Sequence, residues 1–198
     1  MLLPLSWIFG LLVYLRRTCY RLGLFKSYKL SKPVLVVGNL TVGGTGKTPI
    51  VIWIASMLKG QGFKVAVLTR GYGGRSQHWP QIVYANSDPA FVGDEAVLIA
   101  KNSQVMVVAG PDRVAAGQLA IDAGAEVLIS DDGLQHYRLQ RDYELVVVDG
   151  SRLFGNGYLL PAGPLREPIS RINQASMVLV NERGTSRAIR FSQPTHVF

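Results

Sequence analysis

The sequence predicts an α/β fold in which helices cover both faces of a mostly parallel β-sheet. Short apolar runs recur along the 198-residue chain, and stretches long enough for helices separate them. Strands linked by helical crossovers run in the same direction, which makes the sheet parallel. We expect residues 31–198 to form this domain, with a separate helix within residues 1–30. The runs predicted as strands are 34–37, 64–69, 105–109, 126–130, 144–148 and 177–180, and the predicted helices of the domain are 50–58, 94–101 and 111–123.

The first 30 residues are predicted to contain an amphipathic helix that lies at a membrane surface. Residues 2–15 carry no charged side chain, and Arg16, Arg17 and Arg21 follow closely. On a helix these arginines share one face and apolar residues occupy the other, which is typical of a helix in the membrane interface. The apolar run is shorter than the roughly 20 residues that a spanning helix needs.

Two other interpretations compete with this membrane helix. A secretory signal peptide is disfavoured, because the arginines follow the apolar run and no small-residue cleavage site is evident. A helix packed on the protein's own core remains open. The formal charge is +8, and six basic residues fall in the first 32. This distribution indicates an anionic membrane surface at least as well as nucleic acid, and we expect no nucleic-acid partner.

Residues 33–49, PVLVVGNLTVGGTGKTP, predict a phosphate-binding P-loop between the first strand and the helix at 50–58. Unpaired backbone N–H groups and the helix dipole attract an anion at this point. Lys47 can reach the β and γ oxygens of a nucleoside triphosphate, and Thr48 offers the hydroxyl that a phosphate-bound Mg²⁺ needs. Trp53 on the helix is expected in the core. The predicted nucleotide-binding residues are Thr41, Val42, Gly43, Gly44, Thr45, Gly46, Lys47 and Thr48; Thr41 stands where the general pattern has glycine.

Two later strands end in carboxylates that could face the P-loop. Asp131 and Asp132 follow the apolar run at 127–130, the Walker-B arrangement that holds Mg²⁺ opposite the P-loop hydroxyl. Asp149, after 146–148, is a rival for the same role. The continuation of the first motif, with Gln135 and His136, favours it, because it adds an amide and an imidazole near the same strand end.

Further candidate site residues lie in irregular stretches at predicted strand ends, where α/β proteins usually build their sites. Arg70 begins a glycine-rich turn, RGYGGR, which suits bidentate phosphate contacts or is simply a solvated loop. Asp94 follows Gly93 and opens a predicted helix, so it is either an N-cap or a general base. Arg166 and Glu167 lie in a proline-rich segment as site residues or surface charges.

Five motifs together resemble the tetraacyldisaccharide 4'-kinase family of lipid A biosynthesis. They cover nearly the whole chain in the order and spacing of that family, whose pattern includes threonine at the position of Thr41. The motifs are GNLTVGGTGKTP at 38–49, TRGYG at 69–73, GDE at 93–95, DDGLQH at 131–136 and LPAGPLRE at 160–167.

The resemblance implies a P-loop NTPase-like kinase that uses ATP and Mg²⁺ at the cytoplasmic face of the bacterial inner membrane. It would phosphorylate the 4'-hydroxyl of an acylated glucosamine disaccharide 1-phosphate, which makes a lipid IVA-type precursor. The amino-terminal helix would dock the enzyme on the anionic membrane surface. By resemblance, the catalytic residues are Asp94 as base, Lys47 and Asp132; the metal ligands are Thr48, Asp131 and Glu167; and the substrate residues are Arg70, Arg113, Gln135 and His136.

Members of the family continue with a carboxyl-terminal lobe that supplies a histidine, and we expect this lobe to be absent from the chain. An alternative function is therefore a nucleotide- and membrane-binding module without turnover. A membrane-bound GTPase or partitioning-type ATPase is disfavoured for two reasons. The sequence NERG at 181–184 is not a guanine-reading Asn-Lys-x-Asp motif, and Val42 occupies the position of the second lysine in the deviant Walker loop.

Overall fold

The computed structural model describes residues 2–181 and 193–197, which include eight strands in one sheet. The strands are β1 Val34–Gly38, β2 Val65–Thr69, β3 Gln81–Val83, β4 Met106–Ala109, β5 Val127–Asp131, β6 Tyr143–Asp149, β7 Met177–Asn181 and β8 Thr195–Val197. Their order is β3-β4-β2-β5-β1-β6-β7-β8, and every neighbouring pair is parallel except β3 and β4. The α/β prediction and its six strands are confirmed.

The helices also follow the predicted order, with one boundary that moves into the P-loop. They are α1 Leu3–Arg21, α2 Lys47–Gly60, α3 Pro89–Val92, α4 Asp94–Ser103, α5 Arg113–Asp122 and a 3-10 helix at Ile169–Gln174. Helix α2 begins at Lys47 and not at residue 50, because Gly46 caps it in the left-handed conformation at φ 87°. Pro49 is tolerated there, since a helix leaves its first N–H groups unpaired anyway.

Two strands and two short helices, α3 and the 3-10 helix, are not predicted from the sequence. Strand β3 is three residues long and joins the sheet edge antiparallel to β4, within a stretch expected to be irregular. Helix α3 has four residues. Strand β8 follows residues 182–192, which are outside the described residues, so the NERG motif is described only at Asn181.

The core lies on both faces of the sheet, as predicted. Alternate residues of β1 point in opposite directions, as a strand requires. Val37 packs in the cluster that includes α2 and α4. Val34 and Val36 pack in the other cluster, which includes Ala116 of α5. The prediction that Trp53 is a core residue is wrong, because its side chain is 61 % exposed on the outer side of α2.

Helix α1 touches the domain along one narrow line and exposes most of its apolar residues. Ser6 is its only buried residue, and the Ser6 hydroxyl donates a 2.8 Å hydrogen bond to the Leu159 carbonyl. A Cβ at Gly10 would meet the Leu159 side chain, so the helix approaches closely at this point. Trp7 is 69 % exposed. Within the described residues no helix has both the length and the apolar character that crossing a membrane requires.

Candidate active site

The P-loop lies at the carboxyl edge of the sheet, above the central strand β1. Strand β1 pairs with β5 on one side and β6 on the other. Sites in open α/β sheets form at the carboxyl ends of strands, at the point where the strand order reverses. The loop is supported from outside by the segment before the 3-10 helix. Thr41 is buried and forms a β-bridge with Leu165, and the Val42 N–H donates to the Pro164 carbonyl at 2.8 Å. Thr41 thus joins the loop to a neighbouring segment through its backbone.

Lys47 and Asp132 form the charged pair at the centre of the edge. The Lys47 ammonium donates to Asn39 Oδ1 at 3.1 Å and lies 3.5 Å from Asp132 Oδ1. Arg166 Nη1 donates to both Asp132 oxygens, at 3.0 and 3.2 Å. Burial opposes the ionisation of Asp132, but Lys47 and Arg166 outweigh it and lower its pKa. Asp132 is therefore an anion that orients the lysine.

Thr48 is held by a carboxylate that sequence analysis did not assign. The Thr48 hydroxyl donates a 2.6 Å hydrogen bond to Glu95 Oε1. Glu95 lies in the first turn of α4, directly after Asp94. The GDE motif contains this residue, but its spacing gives no indication that the second carboxylate, and not the first, reaches the P-loop.

Asp94 is the first residue of α4 and has an exposed carboxylate. Gly93 occupies the N-cap position, and α4 has no side-chain cap hydrogen bond. The interpretation of Asp94 as an N-cap is therefore wrong by one residue. The carboxylate is free of hydrogen bonds to the described residues, and the assignment of Asp94 as a general base stays a prediction.

Asp131 is the buried carboxylate of the edge. It is 1 % exposed, and its Oδ1 atom accepts no hydrogen bond within the described residues. Burial and then the nearby Glu95 carboxylate raise its pKa to about 7. A buried carboxylate oxygen without a donor suits a cation. The residues present therefore fit Mg²⁺, because the Asp131 carboxylate and the Thr48 hydroxyl offer the oxygen donors that it prefers; their role as ligands stays a prediction.

The described residues contain no group of three or more His, Cys, Asp and Glu side chains arranged around a metal position. That is compatible with Mg²⁺, which proteins usually bind through one or two carboxylates together with substrate phosphates. Glu167, the other predicted ligand, is buried and accepts a short hydrogen bond from the Tyr137 hydroxyl. Its Oε2 atom also lies 3.6 Å from Arg171 Nε. Its metal role stays a prediction.

The four predicted substrate residues differ in how far they are engaged by the protein. Arg113 is buried and donates to the Gly110 and Asp131 carbonyls at 2.7 and 3.1 Å; burial lowers its pKa to about 10. Gln135 donates to the Asn39 carbonyl at 3.3 Å. Arg70 is exposed.

His136 has a buried Nε2 atom without a hydrogen-bond partner in the described part of the chain. Burial and then the Arg113 charge lower its pKa to about 4, so its imidazole is neutral near pH 7. A neutral imidazole can accept or donate a hydrogen bond, depending on its tautomer.

A cavity of about 1000 Å³ brings most of these residues together. Lys47 and Asp94 are not part of its wall. Charged residues at the strand ends and apolar residues of α1 both contribute to its wall. Its wall includes the predicted residues Arg70, Arg113, Asp131, Asp132, Gln135, His136 and Glu167, together with Glu95, Arg166 and the α1 residues Phe9, Leu12, Val13 and Arg16.

Asp149, the rival for the Walker-B role, has a different set of partners. Its carboxylate accepts hydrogen bonds from Ser151 and Arg152. Burial acts against these bonds, but they prevail and lower its pKa to about 2. Arg152 in turn donates to the Gly44 carbonyl. Asp149 thus supports the P-loop from behind through Arg152, a contact that joins residues 108 positions apart and leaves no sequence signal.

Comparisons with known proteins point to one family. The family model described as tetraacyldisaccharide-1-P 4'-kinase matches residues 1–196. Curated proteins named tetraacyldisaccharide 4'-kinase include one from Nitrosococcus oceani, 54 % identical over 182 residues, and one from Alkalilimnicola ehrlichii, 55 % identical over 180 residues. Each alignment covers 91 % of this chain and 54 % of the relative, so the chain spans about half the length of the curated relatives it matches.

A solved structure gives the same result at the level of the fold. The crystal structure of LpxK from Aquifex aeolicus in complex with ATP superimposes with a TM-score of 0.89 at 37 % sequence identity. The superposition covers 99 % of this chain and 63 % of that chain.

Proposed function

Because the chain belongs to the tetraacyldisaccharide 4'-kinase family, we propose that the protein transfers the γ-phosphate of ATP to the 4'-hydroxyl of tetraacyldisaccharide 1-phosphate. The observation that carries the proposal is the mixed wall of the cavity of about 1000 Å³, to which Asp131 and Asp132 contribute together with Leu12 and Val13 of α1. A substrate with a polar reacting end and acyl chains requires such a combination of charged and apolar walls.

The P-loop residues position the nucleotide in this proposal. Residues 41–48 surround the phosphates with backbone N–H groups, and Lys47 contacts the β and γ oxygens. Asn39 and Asp132 keep the lysine at this edge until phosphate oxygens replace them as partners. The Thr48 hydroxyl and Asp131 would hold Mg²⁺, with Glu95 beside Thr48 and Glu167 as a further candidate. When bound, Mg²⁺ neutralises charge on the β and γ phosphates.

Asp94 accepts the proton of the sugar hydroxyl. Its free carboxylate stands at the start of α4, next to Glu95, which contacts the P-loop. As the 4'-oxygen forms its bond to the γ-phosphorus, the bond from that phosphorus to the bridging oxygen of ADP breaks, and ADP leaves with that electron pair. The hydroxyl proton passes to Asp94.

The remaining cavity residues orient the disaccharide. Arg70 is exposed in the cavity and free to contact the substrate, whereas Arg113 fixes the end of β5 through the Asp131 carbonyl. His136 is neutral and offers a hydrogen bond without competing for the phosphate charge. Gln135 is linked to the P-loop through Asn39.

Helix α1 places the site at the cytoplasmic face of the inner membrane. Its exposed apolar residues lie in the interface, while Ser6 and Gly10 keep it against the domain. Acyl chains of a membrane-embedded substrate could therefore follow the helix into the cavity.

The experiment is phosphate transfer from ATP to the acylated disaccharide 1-phosphate, measured with the whole protein and with the 198-residue chain. Transfer to the 4'-position supports the proposal. Binding of ATP and of vesicles without transfer by either protein would favour the alternative, a binding module without turnover.

A further inference from the structure

A second cavity, of about 500 Å³, lies where the carboxyl end of α1 meets the domain. We name it the arginine cavity, because Arg17, Arg21, Arg141 and Arg171 form much of its wall. Tyr137 also lines the cavity of the candidate active site, so the two cavities are neighbours.

The wall of the arginine cavity carries more positive than negative charge. Its carboxylates are Asp142 and Glu144, against four arginines. Glu144 Oε1 accepts from both Arg141 and Arg171, at 2.9 and 2.5 Å. Glu167, which lines the neighbouring cavity, lies 3.6 Å from Arg171 Nε and 4.0 Å from Arg17 Nε, so three carboxylates accompany the four arginines. The Asp142 carboxylate is engaged elsewhere, since it accepts the Val34 N–H at 2.8 Å. An anion is therefore favoured in this cavity.

Arg171 supplies a donor that the protein itself does not use. Its side chain is 2 % exposed, and its Nη1 atom has no hydrogen-bond partner among the described residues. Leaving a buried N–H of a charged group unpaired is costly. Arg141 differs, because the Leu134, Leu139 and His136 carbonyls accept from its guanidinium. The Arg171 guanidinium therefore points to an external acceptor.

Exposed apolar residues follow the arginine cavity along the chain. Leu22, Leu24 and Phe25 directly follow Arg21, and they are 70 %, 71 % and 49 % exposed. A ligand that fits both features has an anionic head and an apolar tail. Guanidinium groups also match phosphate oxygens in geometry, since they donate two parallel hydrogen bonds.

We propose that the arginine cavity binds the phosphate headgroup of an anionic phospholipid in the membrane on which α1 lies. This inference rests on the membrane association proposed above and adds a defined headgroup site to it. The phospholipid would occupy the carboxyl end of α1, while the amino-terminal half of the helix borders the candidate active site.

The test is binding of the 198-residue chain to phosphatidylcholine vesicles that contain about 20 % phosphatidylglycerol, compared with pure phosphatidylcholine. The variant is Arg21→Gln, and the matched control is Lys26→Gln, which removes the same charge five positions along the chain but outside the cavity. Loss of one charge near an anionic surface weakens binding about fivefold. We expect that loss for Lys26→Gln and at least about a further fivefold for Arg21→Gln, because hydrogen bonds to phosphate are lost with the charge. Equal losses for the two variants would overturn the headgroup site.

Vesicle binding by Arg171→Lys is a second test, at the buried end of the cavity. Lysine keeps the charge beside Glu144 and removes the planar fork, so we expect weaker binding to phosphatidylglycerol vesicles with pure phosphatidylcholine binding unchanged. A parallel thermal melt identifies a variant that fails to fold, in which case the comparison of Arg21 with Lys26 decides alone.

Further measurements distinguish a phospholipid phosphate from other phosphates, and test the headgroup site separately from the proposed membrane association. Tight binding of inorganic phosphate to the 198-residue chain without vesicles, lost in Arg21→Gln but not in Lys26→Gln, would assign the cavity to free phosphate and overturn the lipid assignment. The KM for the acylated disaccharide is measured for the whole protein with Arg21→Gln. If the KM rises while vesicle binding equals that of Lys26→Gln, the arginines bind the substrate, and the lipid assignment is overturned.

Deletion of residues 1–25 tests the membrane association itself. If deletion abolishes vesicle binding but Arg21→Gln matches its control, the membrane proposal stands and the headgroup site fails.

Discussion

The Thr48 hydroxyl and the Glu95 carboxylate are joined by a 2.6 Å hydrogen bond that links the P-loop to the first turn of α4. Glu95 is also, after burial, the largest influence that raises the pKa of Asp131. One carboxylate therefore acts on both of the groups assigned to Mg²⁺, and it follows Asp94 directly in the chain.

Glu95→Gln should impair the use of Mg²⁺ while leaving the fold intact. Glutamine can still accept from Thr48, but it carries no charge beside the cation. We expect a higher Mg²⁺ concentration for half-maximal ATP binding, by about tenfold, the scale of one lost interaction with a charged group. Titration of ATP binding with Mg²⁺ measures it, and Glu126→Gln, an exposed carboxylate far along the chain, is the control. An unchanged Mg²⁺ requirement would remove Glu95 from the site.

Asp131 should give the nucleotide-free protein a pH-dependent stability. An aspartate in an unfolded chain titrates near 3.9, whereas burial and Glu95 raise the pKa of Asp131 to about 7 in the folded protein. Between these values the folded state binds more protons, so stability falls as pH rises, at most by about 1.4 kcal/mol per pH unit. Thermal unfolding from about pH 4 to pH 8 should show this fall, and Asp131→Asn should flatten it. Asp122→Asn, at an exposed aspartate, should not.

Lys47→Ala should abolish ATP binding or turnover and spare the fold. The substitution removes the cation that faces the phosphates, and Asp132 keeps Arg166 as a partner at 3.0 Å. We expect the Kd for ATP to rise by at least about tenfold. Calorimetric titration measures the Kd. The control is Lys59→Ala at the far end of α2, since the Lys59 ammonium donates to the Gln104 carbonyl and to no other described residue. Unchanged affinity and activity would contradict the P-loop assignment.

Gly93, directly before Asp94, has a backbone conformation that favours glycine. Its φ is 91°, and a Cβ at this position would press against the Tyr72 carbonyl oxygen. At φ 91° and ψ 141° an alanine would already be strained by about 1–3 kcal/mol, and Gly93→Ala should cost more than this backbone strain alone. Gly62→Ala is the matched control, because Gly62 has φ 93° and open space around its Cβ position. Equal destabilisation in chemical denaturation would show that the contact with Tyr72 is unimportant.

The sequence predicts the strands and helices of this fold better than it predicts which side of each helix is buried and which side chains contact each other. Apolar runs identify six strands, because a parallel sheet buries its strands on both faces. The prediction that Trp53 is buried fails because α2 is apolar on nearly all sides. The periodicity of apolar residues therefore does not show which side of the helix faces solvent. Glu95 and Arg152 escape because their partners, Thr48 and Gly44, are 47 and 108 positions away. Such contacts depend on the three-dimensional arrangement of the strand ends.

Asp94→Asn separates a catalytic carboxylate from a structural one. Gly93 occupies the N-cap, so the substitution cannot remove a cap hydrogen bond. A structural Asp94 contributes only through the helix dipole, and its loss costs about 0.3–1 kcal/mol of stability. A general base would lose its proton acceptor, which typically reduces the rate by about 10² to 10⁴. ATP affinity should barely change in either case, because the side chain contacts no described residue of the P-loop.

The measurement is kcat for phosphate transfer to the acylated disaccharide by the whole protein, with thermal stability recorded in parallel. Asp88→Asn is the matched control, since Asp88 caps α3 through the Ala90 N–H and asparagine caps about as well. We expect wild-type kcat for Asp88→Asn and a fall of at least about a hundredfold for Asp94→Asn. A stable Asp94→Asn protein with near-wild-type kcat would make Asp94 structural. Asp131 and Asp132 would then be the carboxylates to test as the base, with Asp131 favoured because its pKa of about 7 lies close to the pH at which a base works best.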